Sequence, residues 1–233
     1  MDFLSVKDVV KTYRSGETAV NAVNGMSFTA KKGEFVVIVG PSGAGKTTVL
    51  NLLGGMDSVT SGEITIDGTV VSGMTAKQLT LYRRQDVGFV FQFYNLMPNL
   101  TARENVELAT ELCKNALSPD RALALVGLSD RAANFPAQLS GGEQQRVSIA
   151  RAIAKNPKIL LCDEPTGALD YNTGKMILKL LHDMCRDEKK TVIIVTHNGA
   201  LKDIADRVIH IKNGAAEQIE TNACPKSPEE IEW

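Results

Sequence analysis

The stretch of sequence that decides the fold runs from residue 35 to residue 48. It reads Phe35-Val36-Val37-Ile38-Val39-Gly40-Pro41-Ser42-Gly43-Ala44-Gly45-Lys46-Thr47-Thr48. Five consecutive apolar residues predict a strand buried on both faces. The glycines that follow let backbone N–H groups converge on an anion, and the pattern G-x-x-x-x-G-K-[ST] is that of a phosphate-binding loop that opens a helix. We therefore predict strand, loop and helix in that order, with a phosphate at the helix N-terminus.

A second apolar run, at residues 159–162, ends in two adjacent carboxylates, Asp163 and Glu164. Paired carboxylates at the end of a buried strand need a nearby cation or proton. Beside a phosphate loop, Lys46 is expected to reach the terminal phosphates, while Thr47 and Asp163 are expected to hold Mg²⁺. Glu164 then remains free to orient and polarise an attacking water.

The stretch between these two motifs is the most specific to a family. It reads Leu139-Ser140-Gly141-Gly142-Glu143-Gln144-Gln145. Phosphate loop, this signature and acidic strand, in that order, resemble the ATP-binding-cassette (ABC) ATPases, and the resemblance covers nearly the whole chain. It implies an α/β fold: a P-loop NTPase core with a mostly parallel sheet flanked by helices, an antiparallel β subdomain and an inserted helical subdomain.

The implied organisation is one ATP-binding domain over residues 1–233. The core and β subdomain would occupy 1–92 and 157–220, the helical subdomain with the signature 93–156, and a tail 221–233. Further strands are predicted at 4–10, 20–30, 63–66, 87–91, 191–195 and 207–212, and helices at 46–53, 172–187 and 200–205. Ser118 and Pro119 are predicted to be the N-cap and first residue of a helix. The polar residues 225–230 are predicted to be loosely ordered.

The resemblance also implies roles for single residues. Gln92 is similar to the Q-loop glutamine that touches Mg²⁺ or water, and His197 to the H-loop histidine that contacts the γ-phosphate. Tyr13 resembles the aromatic residue that stacks on adenine, and Asp170 the D-loop aspartate at a dimer interface. The implied catalytic residues are Glu164, His197, Lys46 and Gln92. The implied nucleotide-binding residues are Tyr13, the loop 40–48, Gln92, Ser140, Gly141, Gly142, Asp163, Asp170 and His197, and the implied Mg²⁺ ligands are Thr47, Gln92 and Asp163.

The signature has a physical reading of its own. Ser140 and Gly142 are predicted to open a helix over about residues 142–155, and a helix N-terminus attracts anions. In ABC ATPases this N-terminus belongs to the opposing subunit, so that two head-to-tail chains hold two ATP molecules between them. The resemblance therefore implies ATP and Mg²⁺ as cofactors and a homodimer in the ATP-bound state.

Composition limits the other partners. The net charge of −1 gives no electrostatic case for nucleic acid as a partner. The longest apolar runs have the length of a strand, well short of the about 18–20 residues of a membrane span. The four cysteines are widely separated and include no C-x-x-C pair, which indicates a reducing compartment. We therefore expect a cytoplasmic protein, held at the inner face of the cell membrane by integral-membrane permease subunits from another chain.

The motifs at residues 91–98 and 163–170 resemble those of a subgroup: the ATPases of lipoprotein-release, macrolide-export, bacitracin-resistance and cell-division systems. The implied function is a motor subunit that hydrolyses ATP and drives a separate permease, for export or mechanotransmission. A regulator of an extracytoplasmic enzyme, acting through a membrane partner without transport, remains an alternative. A small-molecule phosphotransferase would leave the signature and His197 unexplained. ABC ATPases of DNA repair or translation would need a coiled-coil insertion, zinc-binding cysteines or a second cassette.

Overall fold

The structure of the protein is a computed structural model that describes residues 2–16 and 18–232, so Met1, Glu17 and Trp233 of the predicted domain lie outside it. The strands are β1 (Leu4–Ser15), β2 (Thr18–Ala30), β3 (Phe35–Val39), β4 (Ser61–Ile66), β5 (Thr69–Val70), β6 (Val87–Val90), β7 (Ile159–Asp163), β8 (Thr191–Thr196), β9 (Arg207–Lys212) and β10 (Ala215–Thr221). The α-helices are α1 (Lys46–Leu53), α2 (Ala76–Gln85), α3 (Ala102–Thr110), α4 (Pro119–Leu125), α5 (Gly141–Ala154) and α6 (Tyr171–Arg186). Short 3₁₀ helices cover Ser129–Arg131, Pro136–Gln138 and Gly199–Ile204.

The central sheet has the strand order β10-β9-β3-β8-β7-β6. Strands β9, β3, β8, β7 and β6 run parallel, and β10 pairs with β9 in the antiparallel direction. Val39 pairs with Thr196, and Asp163 pairs with Val195. The carboxyl ends of β3, β7 and β8 therefore meet at one edge of the sheet, where ligands bind in open α/β folds.

A second sheet, antiparallel with the order β2-β1-β4-β5, covers one face of the central sheet. Val36 and Ile38 of β3 pack into the apolar cluster that this sheet shares with α1. Phe35 and Val37 point the other way, into the cluster formed with α5 and α6. A strand that is buried on both faces explains the uninterrupted apolar run at 35–39. The architecture confirms the predicted α/β class, with a mostly parallel sheet and a separate antiparallel one.

The helices α3, α4 and α5 follow one another between β6 and β7. Ser118 caps α4 by accepting a hydrogen bond from the Arg121 N–H, and Pro119 is the first helical residue, which confirms the predicted start. No helix within residues 2–16 and 18–232 has the length and apolar character needed to cross a lipid bilayer. The boundaries 93–156 for a helical subdomain stay a prediction.

Three features differ from the sequence-based expectations. Helix α2 and strand β10 were not predicted, and residues 199–204 form a 3₁₀ helix rather than an α-helix. Only Tyr82 of α2 is buried, so this helix lacks a clear apolar stripe. Its sequence signal is the capping box of Thr75 and Gln78. Strand β10 has no buried residue, so the period-two burial pattern is missing as well.

The prediction of a loosely ordered segment at 225–230 is wrong. The Lys226 N–H donates to the Asp203 carbonyl at 2.9 Å, and Lys175 Nζ donates to the Glu229 carbonyl at 3.0 Å. Ile231 is only 3% exposed and joins the main apolar core. Polar composition suggested mobility, but the polar groups of this segment have partners on α6 and on the 3₁₀ helix at 199–204.

The four cysteines are free, and their environments differ. Cys162 and Cys185 are fully buried, and burial raises the pKa of both thiols, that of Cys185 to about 12. Cys113 is half-buried, while Cys224 is exposed.

Candidate functional site

A cleft of about 380 Å³ lies where β3, β7 and β8 end. Its lining brings together Ser42, Gly43, Gly45, Lys46, Thr47, Thr48, Gln92, Asp163, Glu164 and His197, all of them predicted site residues. Ala22 of β2 and Val195 of β8 complete the wall, and neither was predicted. No local motif marks Ala22, because only the fold of the antiparallel sheet brings β2 to the phosphate loop.

The phosphate loop is held by close backbone packing. Helix α1 begins directly after Gly45, whose φ of 98° is a conformation that favours glycine. A Cβ atom on Gly40 would lie 2.2 Å from the Ile211 carbonyl oxygen, so a larger residue is excluded there. Lys46 Nζ donates to the carbonyl oxygens of Gly40 and Pro41, at 2.9 Å each. The ammonium group is therefore held beside the loop by main-chain oxygens.

Asp163 and Thr47 form the oxygen-rich part of the cleft. The Thr47 hydroxyl donates to Asp163 Oδ2 at 2.7 Å, and Asp163 is only 5% exposed. Burial raises the pKa of this carboxyl, with the Glu164 charge adding to the rise and the Thr47 hydrogen bond and Lys46 charge opposing it. A buried carboxylate, a hydroxyl and the amide of Gln92 are the oxygen donors that Mg²⁺ prefers. The residues present therefore fit a magnesium ion.

Glu164 is oriented by three contacts from the end of β8. The Thr196 hydroxyl donates to Oε2 at 2.9 Å, and the His197 N–H donates to Oε1 at 2.8 Å. His197 Nδ1 lies 2.7 Å from the same Oε1. Glu164 has a φ of 50°, in the left-handed region, and its own N–H donates to the Val195 carbonyl. A strained backbone of this kind persists only where the surroundings fix it, as at many active sites.

A second cleft, also of about 380 Å³, adjoins the first. The two clefts share Gln92, Glu164 and His197. The second one extends towards Gln145 of α5 and Ala168. Gln145 Nε2 donates to the Pro165 carbonyl at 3.3 Å, which ties the signature helix to the loop after β7. The three shared residues thus stand between the phosphate cleft and the signature helix.

The signature residues Ser140, Gly141 and Gly142 do not line the phosphate cleft of their own chain. Ser140 caps α5 instead: its side chain accepts from the Glu143 N–H at 3.2 Å, and Glu143 accepts from the Ser140 N–H at 2.8 Å. Ser140 and Gly141 are exposed. Asp170 likewise caps α6, by accepting from the Thr173 N–H at 3.1 Å. The nucleotide contacts of these residues stay a prediction.

Tyr13 also lies outside the cleft lining, near the end of β1. Its hydroxyl donates to Asp57 Oδ2 at 2.7 Å, and Lys11 Nζ lies 4.9 Å from the ring centroid. Burial and the Asp57 carboxylate raise the pKa of Tyr13. The residue is 44% exposed, so an aromatic base could reach it, and its stacking role stays a prediction.

The sequence model of a known family, described as ABC transporter, matches residues 23–167. An uncharacterised ABC transporter ATP-binding protein of Methanocaldococcus jannaschii, MJ0796, is 45% identical over 93% of this chain and 96% of its own length. The macrolide export ATP-binding/permease protein MacB of Shigella flexneri is 43% identical over 91% of this chain and 33% of its own length. This similarity fits the subgroup indicated by the motifs.

A solved structure extends the comparison to the fold. It is described as a dimeric, post-hydrolysis state of the ATP-binding cassette MJ0796 bound to ADP and Pi. This chain is similar to it with a TM-score of 0.89 and 43% identity, over 94% of this chain and 98% of the other. The chain spans only about half the length of several other curated relatives, with shares of 50%, 44% and 50%.

Proposed function

Because this chain belongs to the ABC transporter family and is one of its ATP-binding ATPase domains, we propose that two copies of it close on two ATP molecules and drive a separate integral-membrane permease. The observation that carries the proposal is the separation of two half-sites. The phosphate cleft contains Lys46 and Glu164, whereas the capped N-terminus of α5 is exposed and lies outside that cleft. A second chain can supply the missing anion-binding N-terminus to each cleft.

The hydrolytic step follows from the environment of Glu164. Its carboxylate is fixed by Thr196 and His197 at the boundary of two clefts, so it can accept a hydrogen bond from a water and align that water with the γ-phosphate. His197 lies at the same boundary with its ring 79% exposed, where it can contact the transferring phosphoryl group. Gln92 lines both clefts and is positioned to sense the same water.

The phosphate loop and its neighbours would stabilise the negative charge of the phosphate groups. The loop amides and Lys46 would hold the β- and γ-phosphate oxygens, with Lys46 leaving its carbonyl partners for the phosphates. Thr47, Asp163 and Gln92 would hold Mg²⁺, which when bound neutralises charge on those oxygens. Tyr13 would stack on the adenine, which is worth about 1–3 kcal/mol by analogy with other base–aromatic contacts.

The opening and closing of the dimer would drive the movement of the permease. ATP bridges the phosphate loop of one copy and the signature helix of the other, so the closed dimer is favoured only while the γ-phosphate is present. Hydrolysis removes that bridge, and the two copies separate. Gln92 and the segment 95–98 after it would pass this motion to the permease, which would keep the chain at the cytoplasmic face of the membrane. The similarity to the macrolide export ATP-binding/permease protein MacB supports an export or mechanotransmission system.

Glu164→Gln tests this proposal. Glutamine keeps the shape and can still accept from Thr196, but it lacks the charge that polarises the water. We expect ATP binding to persist while hydrolysis slows by about 10²–10⁴-fold, the usual contribution of a general base. Size-exclusion chromatography with Mg²⁺ and ATP should then show a stable dimer, whereas the wild type should return to monomer as ATP is consumed.

A regulator that moves no substrate would give the same result for this isolated chain. Reconstitution with the proposed permease separates the two functions, because a transporter couples ATP hydrolysis to substrate movement and a regulator does not. A Glu164→Gln variant that hydrolyses ATP at the wild-type rate would contradict the role of Glu164.

A further inference from the structure

The hairpin turn between β9 and β10 lies against the phosphate loop. Asn213 and Gly214 form this turn, with φ values of 52° and 77°. The Gly214 N–H donates to the Ala44 carbonyl at 3.1 Å. The Gly214 carbonyl accepts from the Asn24 N–H of β2 at 2.8 Å. One residue thus links the phosphate loop on one side to β2 on the other.

The packing at this link leaves no room for side chains. A Cβ atom on Gly214 would lie 2.9 Å from the Ala22 carbonyl oxygen and 3.1 Å from the Asn24 nitrogen. A Cβ atom on Gly45 of the phosphate loop would lie 2.1 Å from the same Ala22 oxygen and 3.7 Å from Gly214 Cα. Since these neighbours are backbone atoms, a larger residue at 214 can be accommodated only if β2 and the turn move apart.

Movement of β2 would reach the nucleotide site. Ala22 lines the phosphate cleft, and the pairing of β2 with β1 includes Tyr13, which lies opposite Val20. These two strands therefore form an arm that carries both Ala22 and Tyr13. The distance between this arm and the phosphate loop is set by the hydrogen bonds and the close packing of Gly214.

We infer that Gly214 is a positioning residue of the nucleotide site. It holds the arm of β1 and β2 against the phosphate loop, so that the protein contacts the base and ribose at the same time as the phosphates. The inference rests on the proposed function, because it assumes that ATP binds in this cleft. The affinity for ATP then has two parts, which depend on different residues. Gly214 governs contacts to the nucleoside part, while the loop amides and Lys46 govern contacts to the triphosphate.

The chain offers a matched control for this position. Asp67 and Gly68 form the turn between β4 and β5, with φ values of 48° and 74°, nearly the same as those of Asn213 and Gly214. A Cβ atom on Gly68 would meet no atom within 4 Å. Substitution at 68 therefore produces the same backbone strain as substitution at 214, without the displacement of β2.

The experiment compares Gly214→Ala with Gly68→Ala, using the dissociation constants for ATP and for inorganic tripolyphosphate, both with Mg²⁺. For Gly214→Ala we expect ATP affinity to fall about tenfold, equivalent to about 1.4 kcal/mol, while tripolyphosphate binds as to the wild type. For Gly68→Ala we expect both constants to match the wild type. Equal losses for the two ligands, or no loss at all, would overturn the inference.

Gly214→Asn and Gly68→Asn repeat the comparison with a residue that tolerates the left-handed region, so that backbone strain is small and the added Cβ remains. The same selective loss of ATP affinity is expected at 214 only. A loss at 68 of the same size would show that turn strain, not the position of β2, is responsible, and would reject the assignment. Failure of the wild-type protein to bind ATP would instead refute the proposed function.

Discussion

Asp163 is a proposed ligand of Mg²⁺, but its burial disfavours the charged form of the carboxyl group. Burial raises the pKa of its carboxyl, so the native state holds the proton more tightly than the unfolded chain does. The contribution of Asp163 to stability is therefore present at low pH and is lost as the pH rises through its native pKa. Near neutral pH the ionised side chain destabilises the protein unless a cation compensates it.

Asp163→Asn should accordingly raise the melting temperature at about pH 7 by about 2 °C or more, because the buried charge is gone and Thr47 can still donate to the amide oxygen. The gain should shrink as the pH falls through the raised native pKa of Asp163, because the wild-type carboxyl then takes up a proton. ATPase activity should be lost with the magnesium ligand. Thermal unfolding without nucleotide at several pH values measures the first effect.

Asp57→Asn is a control for which we expect the opposite change in melting temperature. Burial opposes ionisation of Asp57, but hydrogen bonds from Lys11 and Tyr13 outweigh it and lower the pKa of this carboxyl. Its contribution to stability is present above the unfolded pKa and is lost as the pH falls. We expect Asp57→Asn to lower the melting temperature at neutral pH. If Asp163→Asn lowered it too, the charge at 163 would not be destabilising.

The residues of the site could be predicted from sequence only where a local motif exists. The phosphate loop, Asp163, Glu164 and His197 stand in such motifs, and the structure brings them into one cleft. Thr196 and Ala22 could not be found in this way. Their contacts depend on the pairing of β7 with β8 and on the path of β2, which are non-local.

At the scale of one element, α5 depends on Ser140 for its own N-terminal cap, and the proposed dimer needs the same N-terminus for ATP. Ser140→Arg should therefore have two effects. It should reduce stability by about 1 kcal/mol through loss of the cap. It should also abolish ATP-driven dimerisation, because a long cationic side chain would occupy the proposed position of the γ-phosphate. ATP binding to the single chain should persist.

Ser118→Arg is a matched control for this change. Ser118 caps α4 in the same way, through the Arg121 N–H, and lies outside both clefts. The two variants should show similar losses in melting temperature, but only Ser140→Arg should lose ATPase activity and dimer formation. Wild-type activity in Ser140→Arg would remove the signature from the proposed active site.

Elements with a strong burial pattern were predictable, and those without one were not. The strand at 35–39 and the helix α6 have continuous or periodic apolar residues, and both form where expected. Helix α2 has one buried residue and β10 has none, so hydrophobic periodicity could not reveal them. The segment after β10 is ordered through Ile231 and a few charged contacts, which composition alone does not show.

At the scale of the whole molecule, a groove of about 350 Å³ runs beside β6, with residues of α2 and of the turn after α1 on one side and residues of α3 and α5 on the other. Its walls include Met56, Phe89 and Phe91 together with the cations Arg83, Arg151 and Lys155. The cations donate to main-chain carbonyls, and burial lowers the pKa of Lys155. None of the described residues that line the groove is acidic. Such a surface is complementary to a segment that combines apolar and acidic side chains.

We expect the proposed permease to dock in this groove. Met56 is 52% exposed at its wall, and Met56→Glu would place a like charge against the incoming segment. Co-purification with the proposed permease should then be lost. Val70→Glu, at a residue of β5 that is 43% exposed and outside the groove, should leave co-purification intact. Equal recovery of the partner with both variants would place the docking surface elsewhere.

Because its thiols are unequally buried, the native chain can be labelled selectively with a fluorescent dye. A maleimide dye should react first at Cys224, because Cys113 is half-buried and the thiolates of Cys162 and Cys185 are both inaccessible and strongly disfavoured. Cys224 lies outside both clefts and the groove, so labelling there leaves them chemically unaltered. Energy transfer between two labelled copies could then follow association and release in real time, without engineering any cysteine.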